Sequence, residues 1–178
     1  MKQRLFIAIP LNNSITNKIR SFQYDNTQLE NIRWLPPENL HITGCFIGDT
    51  EREVENDIKP KIEQTIRGIR SFYLSPDDFI KVPANKPKMI WLTFRDNPEF
   101  NKLHESLHDQ LGLNEQKKPP KPHVTVARSK GKKPFKGKLK GYNASIEDIE
   151  VNSVELWESQ LSERGAIYKR IDRFPFDD

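Results

Sequence analysis

The sequence contains the same order of local elements twice, and each copy ends in a short segment that pairs a histidine with a threonine. In each copy, a strand-like apolar segment and a segment with helical spacing precede a proline pair and a second strand-like segment. The first copy ends in His41-Ile42-Thr43 and the second in His123-Val124-Thr125. Pro37 and Pro119 precede their histidines by the same distance. This order predicts two pseudo-symmetric lobes.

Strand geometry gives the repeated three-residue segment a chemical meaning. Side chains alternate across a β-strand, so each histidine points to the same side as its threonine while the aliphatic residue packs behind. Two such strands side by side would present two imidazoles and two hydroxyls to one small ligand. Because imidazole exchanges protons near neutral pH, we expect His41, Thr43, His123 and Thr125 to form one acid–base site. Phe46 is expected to point away from His41, into the core.

The remaining pattern predicts an α+β fold. Each lobe is expected to be an antiparallel sheet flanked by helices, with both motifs in a central cleft and residues 1–178 in a single domain. Apolar spacing predicts helices over 14–29, 51–69 and 97–111, with Asn13 or Ser14 capping the first and Pro60 interrupting the second. It predicts strands over 4–9, 40–48, 72–82, 89–94, 123–127, 149–159 and 166–174, the last two joined by a turn at Gly165.

Bulk composition narrows the class of protein. Hydrophobic residues make up 35% of the chain and the mean hydropathy is −0.77, which indicates a polar but foldable protein. No apolar stretch approaches the roughly 18–20 residues of a transmembrane helix, so we expect no membrane partner. Cys45 is the only cysteine, which excludes an intramolecular disulfide and favours a reducing, cytoplasmic location. We expect Cys45 to be a small buried residue.

Positive charge is concentrated around the second motif. The segment 117–140 holds nine lysines and one arginine with no acidic residue, whereas the rest of the chain has 19 basic and 25 acidic residues. Such a segment is either a solvated loop or a contact for a polyanion. Because it brackets the second motif, we expect Arg128, Lys130, Lys132 and Lys133 to bind an anionic substrate.

One further segment matches a metal-binding motif in its letters. His104-Glu105-Ser106-Leu107-His108 has the H-E-x-x-H spacing of zinc metalloproteases. Its histidines flank the apolar stripe formed by Leu103, Leu107 and Leu111, and no third ligand follows shortly downstream. We therefore expect a surface helix at this position, and no metal or other cofactor in the protein.

The two motif segments resemble those of a known family. HITGCFIG and PHVTVAR resemble the paired motifs of the 2H phosphoesterase superfamily, and more closely those of the RNA 2',3'-cyclic phosphodiesterases, formerly called 2'-5' RNA ligases. The resemblance runs nearly end to end, since RLFIAIP, RWLPPENLHIT and SVELWESQLSERGAIYKRI are similar to the family's opening strand, first-motif approach and closing hairpin. Gly44 stands where the family more often has leucine.

The resemblance implies a metal-independent phosphodiesterase that converts an RNA 2',3'-cyclic phosphate end to a 2'-phosphate. The enzyme is expected to act as a monomer, and the resemblance leaves open whether the same site also runs the reverse reaction, 2'-5' ligation. We assign His41 as proton donor and His123 as proton acceptor, a pair of roles that could be exchanged, with Thr43 and Thr125 on the phosphate oxygens. The alternatives are a non-catalytic RNA- or nucleotide-binding module, and a phosphodiesterase for small cyclic nucleotides or ADP-ribose cyclic phosphate.

Overall fold

The computed structural model describes residues 2–113, 120–141, 146–162 and 165–177, and Pro119 lies outside these ranges. Within them the helices are α1 (Asn13–Asp25), α2 (Glu55–Ile66) and α3 (Pro98–Leu111), with short 3₁₀ turns at Pro37–Asn39 and Arg52–Val54. The strands are β1 (Lys2–Pro10), β2 (Ile32–Trp34), β3 (His41–Glu51), β4 (Phe72–Leu74), β5 (Pro76–Val82), β6 (Met89–Phe94), β7 (His123–Ser129), β8 (Ile149–Val151), β9 (Ser153–Ser162) and β10 (Gly165–Pro175).

The strands form an antiparallel sheet with the order β10-β9-β1-β3-β7-β6-β5, and β2 also pairs with β7. A two-stranded sheet of β4 and β8 lies apart from it. The predicted α+β class with antiparallel strands is confirmed. The two expected lobes correspond to the two halves of this sheet, which are continuous through β3 and β7.

The junction between the halves is narrow. Within the described residues, β3 and β7 pair through Ile42 opposite Val124. Further along the same edge of β7, β2 takes the place of β3, with Trp34 opposite Ala127 and Ile32 opposite Ser129. The halves therefore meet at the centre of the two motifs and separate beyond it, which opens a cleft on the sheet.

The helices of the two halves are exchanged. Helix α1 follows β1 of the first half, yet Phe22 of α1 stacks on Phe79 of β5 in the second half, with ring centroids 3.7 Å apart. Helix α3 follows β6 of the second half, yet His104 of α3 contacts Gly44 of β3 in the first half. The halves are consequently held together by crossed helices as well as by the β3–β7 junction.

The two faces of β1 show why the sheet has a core side and a cleft side. Leu5, Ile7 and Ile9 are almost fully buried and pack in a core that also holds the apolar stripes of the three helices. Burial of each such side chain contributes about 1.5–3 kcal/mol. The alternate residues Phe6 and Ala8 face the other way and form a smaller cluster with side chains of β9 and β10.

Several predicted helix boundaries were wrong. Helix α1 ends at Asp25 rather than at residue 29, because the side chain of Asn26 forms the contacts that end it: its Nδ2 donates to the Phe22 carbonyl at 2.9 Å, and its Oδ1 accepts from the Lys140 backbone amide at 2.8 Å. Its N-cap is Asn12, whose side chain accepts from the Ile15 amide at 3.0 Å. Helix α2 begins after a 3₁₀ turn and runs through Pro60 without a break.

Two segments that were each predicted to form one strand form two strands in the structure. The segment 72–82 divides at Ser75 and the segment 149–159 divides at Asn152, because β4 and β8 leave the main sheet to pair with each other. Strand β2 was missed, since three residues are too few to show periodicity. Residues 163 and 164, which join the last two strands, lie outside the described residues. None of the described helices is long and apolar enough to cross a membrane.

We expect the β3–β7 junction to show energetic coupling. Ile42 and Val124 are fully buried and directly opposed, so Ile42→Val and Val124→Ala should each destabilise the protein, by about 0.5–1.5 kcal/mol for the first. A double-mutant cycle in urea should give a coupling free energy of about 0.5–1 kcal/mol. The control pair is Ile42→Val with Ile149→Val, which lie in different sheets and should be additive. Additivity at the junction would contradict this packing.

Candidate active site

The four motif residues line one cavity of about 530 Å³, together with Arg128. The pairing of Ile42 with Val124 in an antiparallel register places His41 across from Thr125 and Thr43 across from His123. The two histidines are then diagonal neighbours, for which the usual separation in a sheet is about 7–8 Å. This spacing leaves room for one phosphate-sized group with an imidazole on either side.

Both imidazoles are oriented by the same type of hydrogen bond. The Nδ1 of His41 lies 2.8 Å from the Asn39 carbonyl oxygen, and the Nδ1 of His123 lies 2.8 Å from the Lys121 carbonyl oxygen. Because a carbonyl oxygen only accepts, Nδ1 carries a hydrogen and donates in both rings. The neutral rings therefore have their lone pair on Nε2, which is the nitrogen left for proton exchange with a ligand.

His41 is enclosed by aromatic side chains. Its ring centroid lies 4.9 Å from that of Phe6, 5.1 Å from that of Trp157 and 5.2 Å from that of Tyr168. The Trp157 indole nitrogen donates to the buried Glu155 carboxylate at 2.8 Å, which fixes that ring. Burial is the main cause that lowers the pKa of His41 to about 4, with contributions from Arg128 and His123, while the Asn39 carbonyl acts in the opposite direction.

His123 has a more open environment with one aromatic neighbour. It stacks on Trp91, with ring centroids 3.7 Å apart and an angle of 21° between the planes. Burial and Arg128 lower the pKa of His123 below its usual value, and the hydrogen bond to the Lys121 carbonyl raises it. The two imidazoles thus share one hydrogen-bonding pattern but differ in enclosure. An anion held between them would raise the pKa of both rings.

A β-bulge in each motif strand turns further side chains into the cleft. In β3, Ala8 pairs with Thr43 and Ile7 with Cys45, so Gly44 is an extra residue. In β7, Trp91 pairs with Thr125 and Ile90 with Ala127, so Val126 is an extra residue. An extra residue reverses the alternation beyond it. As a result, the fifth residue after each histidine, Phe46 in β3 and Arg128 in β7, faces the cleft.

The bulge explains why the prediction for Phe46 was wrong. Strict alternation predicts that Phe46 is a core residue, but its side chain is 46% exposed and lines the cavity. The Arg4 guanidinium lies over the Phe46 ring, 5.1 Å from its centroid. Arg128 depends on the equivalent bulge for its position among the motif side chains.

Sequence reasoning missed several residues that line the cavity. Arg4 and Phe6 could have been found from β1, because they alternate with the core residues of that strand. Arg33 was missed with strand β2, and Trp91 required the register between β6 and β7. Among the described residues, the lining contains three arginines and no aspartate or glutamate, which favours an anionic ligand. The other lining residues are Leu35, Met89, Ser159, Ala166 and Tyr168.

The three predicted lysine contacts lie outside this cavity. The amide of Lys130 donates to the Asn31 carbonyl at 2.9 Å, and the Asn31 side chain donates to the Lys133 carbonyl at 3.0 Å. The lysine segment is thereby attached to the residues that lead into β2. Whether Lys130, Lys132 and Lys133 contact substrate stays a prediction.

The H-E-x-x-H segment lies in α3, and its first histidine is buried. His104 was predicted on a surface helix, but it is only 4% exposed, and its Nδ1 donates to the carbonyl of the bulge residue Gly44 at 2.7 Å. Its ring lies 4.3 Å from that of His108. Among the described residues, no group of three or more His, Cys, Asp or Glu side chains could hold a metal ion. Cys45 is buried as predicted, and burial raises the pKa of its thiol to about 12.

Comparison with known proteins agrees with the motif-based resemblance. The family model described as the 2'-5' RNA ligase superfamily matches residues 13–163. A relative from Archaeoglobus fulgidus, named RNA 2',3'-cyclic phosphodiesterase, is 28% identical over 177 residues, covering 96% of this chain and 99% of its own. A relative of the same name from Thermotoga maritima is 27% identical over 192 residues, covering 98% and 96%.

Solved structures share the fold. The crystal structure of the protein TT0787 of Thermus thermophilus gives a TM-score of 0.83 at 22% identity and covers 97% of both chains. The crystal structure of E. coli LigT in its apo form gives a TM-score of 0.82 at 24% identity and covers 99% of both chains. The fold described above is therefore one that solved proteins adopt over their whole length.

We expect the enclosure of His41 to make stability depend on pH. The folded-state pKa of about 4 lies below the unfolded value near 6.5, so the unfolded chain binds more protons and stability falls as the pH drops from 6.5 towards 4. We expect urea denaturation to show that, between pH 8 and pH 5, the free energy of unfolding falls by about 2 kcal/mol less in His41→Gln than in the wild type. Thr43→Val, which removes no titratable group, should keep the wild-type loss. Equal losses in all three proteins would contradict the lowered pKa.

Proposed function

The chain belongs to the 2'-5' RNA ligase superfamily, and we propose that it hydrolyses RNA ends that carry a 2',3'-cyclic phosphate, leaving a 2'-phosphate. The observation that carries the proposal is the convergence of both histidines, both threonines and Arg128 on one cavity, to which no carboxylate of the described residues contributes. Relatives of nearly equal length are named RNA 2',3'-cyclic phosphodiesterase, which supports the same reaction for this chain.

Hydrolysis of the cyclic ester requires a base and an acid on opposite sides of phosphorus. In the proposed mechanism, Nε2 of His123 takes a proton from the attacking water while Nε2 of His41 gives a proton to the departing 3'-oxygen. The phosphorus–O3' bond breaks, the bond to O2' is retained, and the product is a 2'-phosphate. A 5'-hydroxyl in place of water would give a 2'-5' linkage through the same proton transfers.

The surrounding groups would act on charge that develops at phosphorus. In the proposed mechanism, the hydroxyls of Thr43 and Thr125 donate to the non-bridging oxygens, and the Arg128 guanidinium supplies a planar cation; the lining of one cavity by all three side chains supports these roles. The lowered pKa of His41 makes its imidazolium a strong acid, and the anionic phosphate would stabilise that imidazolium when substrate is bound. We also propose that Lys130, Lys132 and Lys133 contact RNA beyond the cavity.

Two other functions compete with this proposal. A non-catalytic binding module would not need both histidines held in the same tautomer by backbone carbonyls. A phosphodiesterase for small cyclic nucleotides is the stronger alternative, because a cavity of about 530 Å³ is in the size range of small-ligand sites. We further propose a monomeric, cytoplasmic, single-domain protein. One core that extends from Leu5 to Phe176 and one chain that supplies both histidines support this arrangement.

Product analysis tests the reaction directly. On an oligonucleotide with a 2',3'-cyclic end, the wild type should release a 2'-phosphate, and EDTA should not change the rate. His41→Ala and His123→Ala should each lower kcat by about 10²- to 10⁴-fold, because each removes one proton transfer. The control is His108→Ala, a histidine outside the cavity, which should keep the wild-type rate. A 3'-phosphate product, or full activity in either active-site variant, would contradict the mechanism.

The pH dependence tests the assignment of opposite proton duties. Because both histidine pKa values are lowered in the free protein, the profile of kcat/KM should be bell-shaped with its maximum below pH 6.5. Bound phosphate raises both pKa values, so the maximum of kcat should lie at higher pH. His123→Ala should remove the acid limb and His41→Ala the alkaline limb; the opposite result would exchange the two roles. A profile flat from pH 4 to 9 would exclude the two-histidine mechanism.

A further inference from the structure

A second cavity adjoins the active-site cavity. It has a volume of about 320 Å³, and Arg33, Arg128 and Tyr168 line both cavities. Trp34, Glu38 and Asn39 line this second cavity but not the active-site cavity, and Glu38 provides a carboxylate. We call it the flanking cavity. The two cavities form a groove that passes from the motif residues across the arginines to the Trp34 side chain.

The boundary between the cavities carries concentrated positive charge. Arg33 on β2 and Arg128 on β7 are directly opposite in the strand register, and both are exposed. Within the described part of the chain, Arg128 forms no ion pair, and its guanidinium donates to the Met89 sulfur at 3.2 Å. Because both arginines line both cavities, an anion at this boundary would lie beside two cationic side chains.

The flanking cavity is built from fixed groups. The Trp34 ring packs edge-to-face with Phe22, with centroids 6.2 Å apart. The next residue, Leu35, accepts a hydrogen bond from the Gln23 side chain at 2.9 Å and donates its amide to the Val126 carbonyl at 3.0 Å. Tyr168 also lines the flanking cavity, and its ring packs against that of His41. Two aromatic side chains are therefore available beside the arginine pair without rearrangement of the backbone.

We propose that the flanking cavity binds the nucleotide that precedes the cyclic end of the RNA, with its base on Trp34 and the connecting phosphodiester at Arg33 and Arg128. Stacking of bases on aromatic side chains is a common source of affinity in single-stranded nucleic acid binding and tolerates any base. This inference rests on the proposed function and narrows its substrate, because an oligonucleotide occupies both cavities whereas a mononucleotide occupies one. The lysine segment that follows Arg128 continues the basic path past β2.

Substrate length tests this site. Hydrolysis by the wild type should be compared for adenosine 2',3'-cyclic monophosphate and for the adenosine dinucleotide and trinucleotide with the same cyclic end. We expect kcat/KM to rise about tenfold from one to two nucleotides, mainly through KM, and to change less than threefold from two to three. Trp34→Leu should remove most of the tenfold gain and leave the mononucleotide rate unchanged, and Trp34→Phe should keep most of the gain. Arg33→Gln should affect the dinucleotide more than the mononucleotide.

Arg20→Gln is the matched control. Arg20 lines a different cavity on the α1 side of Trp34, so this variant should keep the wild-type gain. A dinucleotide no better than the mononucleotide in the wild type would overturn the inference. Equal losses on the two substrates in Trp34→Leu would also overturn it, because such a variant would have damaged the active site or the fold instead.

Binding measurements separate this inference from the proposed function. Calorimetry should show the wild type binding the adenosine dinucleotide 2'-phosphate about tenfold more tightly than adenosine 2'-monophosphate, with the difference lost in Trp34→Leu. If no cyclic substrate were hydrolysed, the proposed function would fail, and this affinity difference would still decide the site. Equal affinities would overturn the site even if hydrolysis were observed.

Discussion

The pairing of Ile42 with Val124 is the interaction on which the candidate site depends. It joins the two halves of the sheet at the middle residue of each motif, and in an antiparallel register it brings each histidine opposite the other motif's threonine. The two side chains themselves are buried behind the cleft, so apolar packing determines the spacing of the polar groups in front. A register slip of one residue would turn one histidine–threonine pair into the core.

The two motifs have the same backbone features but different surroundings. Each histidine donates from Nδ1 to the carbonyl two residues earlier, and each strand has a bulge beyond its threonine. The aromatic cluster around His41 has no counterpart among the described neighbours of His123, which stacks on Trp91 alone. Acid–base chemistry needs two groups that favour different protonation states. The enclosure favours the neutral form of His41 in the free protein, so its proposed role as proton donor depends on the bound phosphate, which would stabilise the imidazolium.

Local sequence pattern predicted the motif strands and the helical stripes, because each depends on periodicity within one element. The joint position of the two histidines was expected from the repetition of one motif in two strands. Local pattern could not predict the bulges, since an extra residue is visible only when the partner strand is known. Phe46 was therefore placed in the core, whereas Arg33 was missed because the three residues of β2 are too few to show periodicity. The burial of His104 also depended on a tertiary contact, because the helix that carries it packs against the strand of the other half.

The chemistry of the site requires that two imidazoles with the same tautomer hold one anion between their Nε2 atoms. Nitrogen-15 NMR titration of His41 and His123, with and without adenosine 2'-monophosphate, measures the tautomer and the pKa of each ring. We expect the Nδ1–H tautomer for both neutral rings, a pKa of His41 near 4 in the free protein, and an upward shift of both pKa values when the nucleotide binds. An Nε2–H tautomer in either ring, or pKa values that do not respond to the nucleotide, would contradict this requirement.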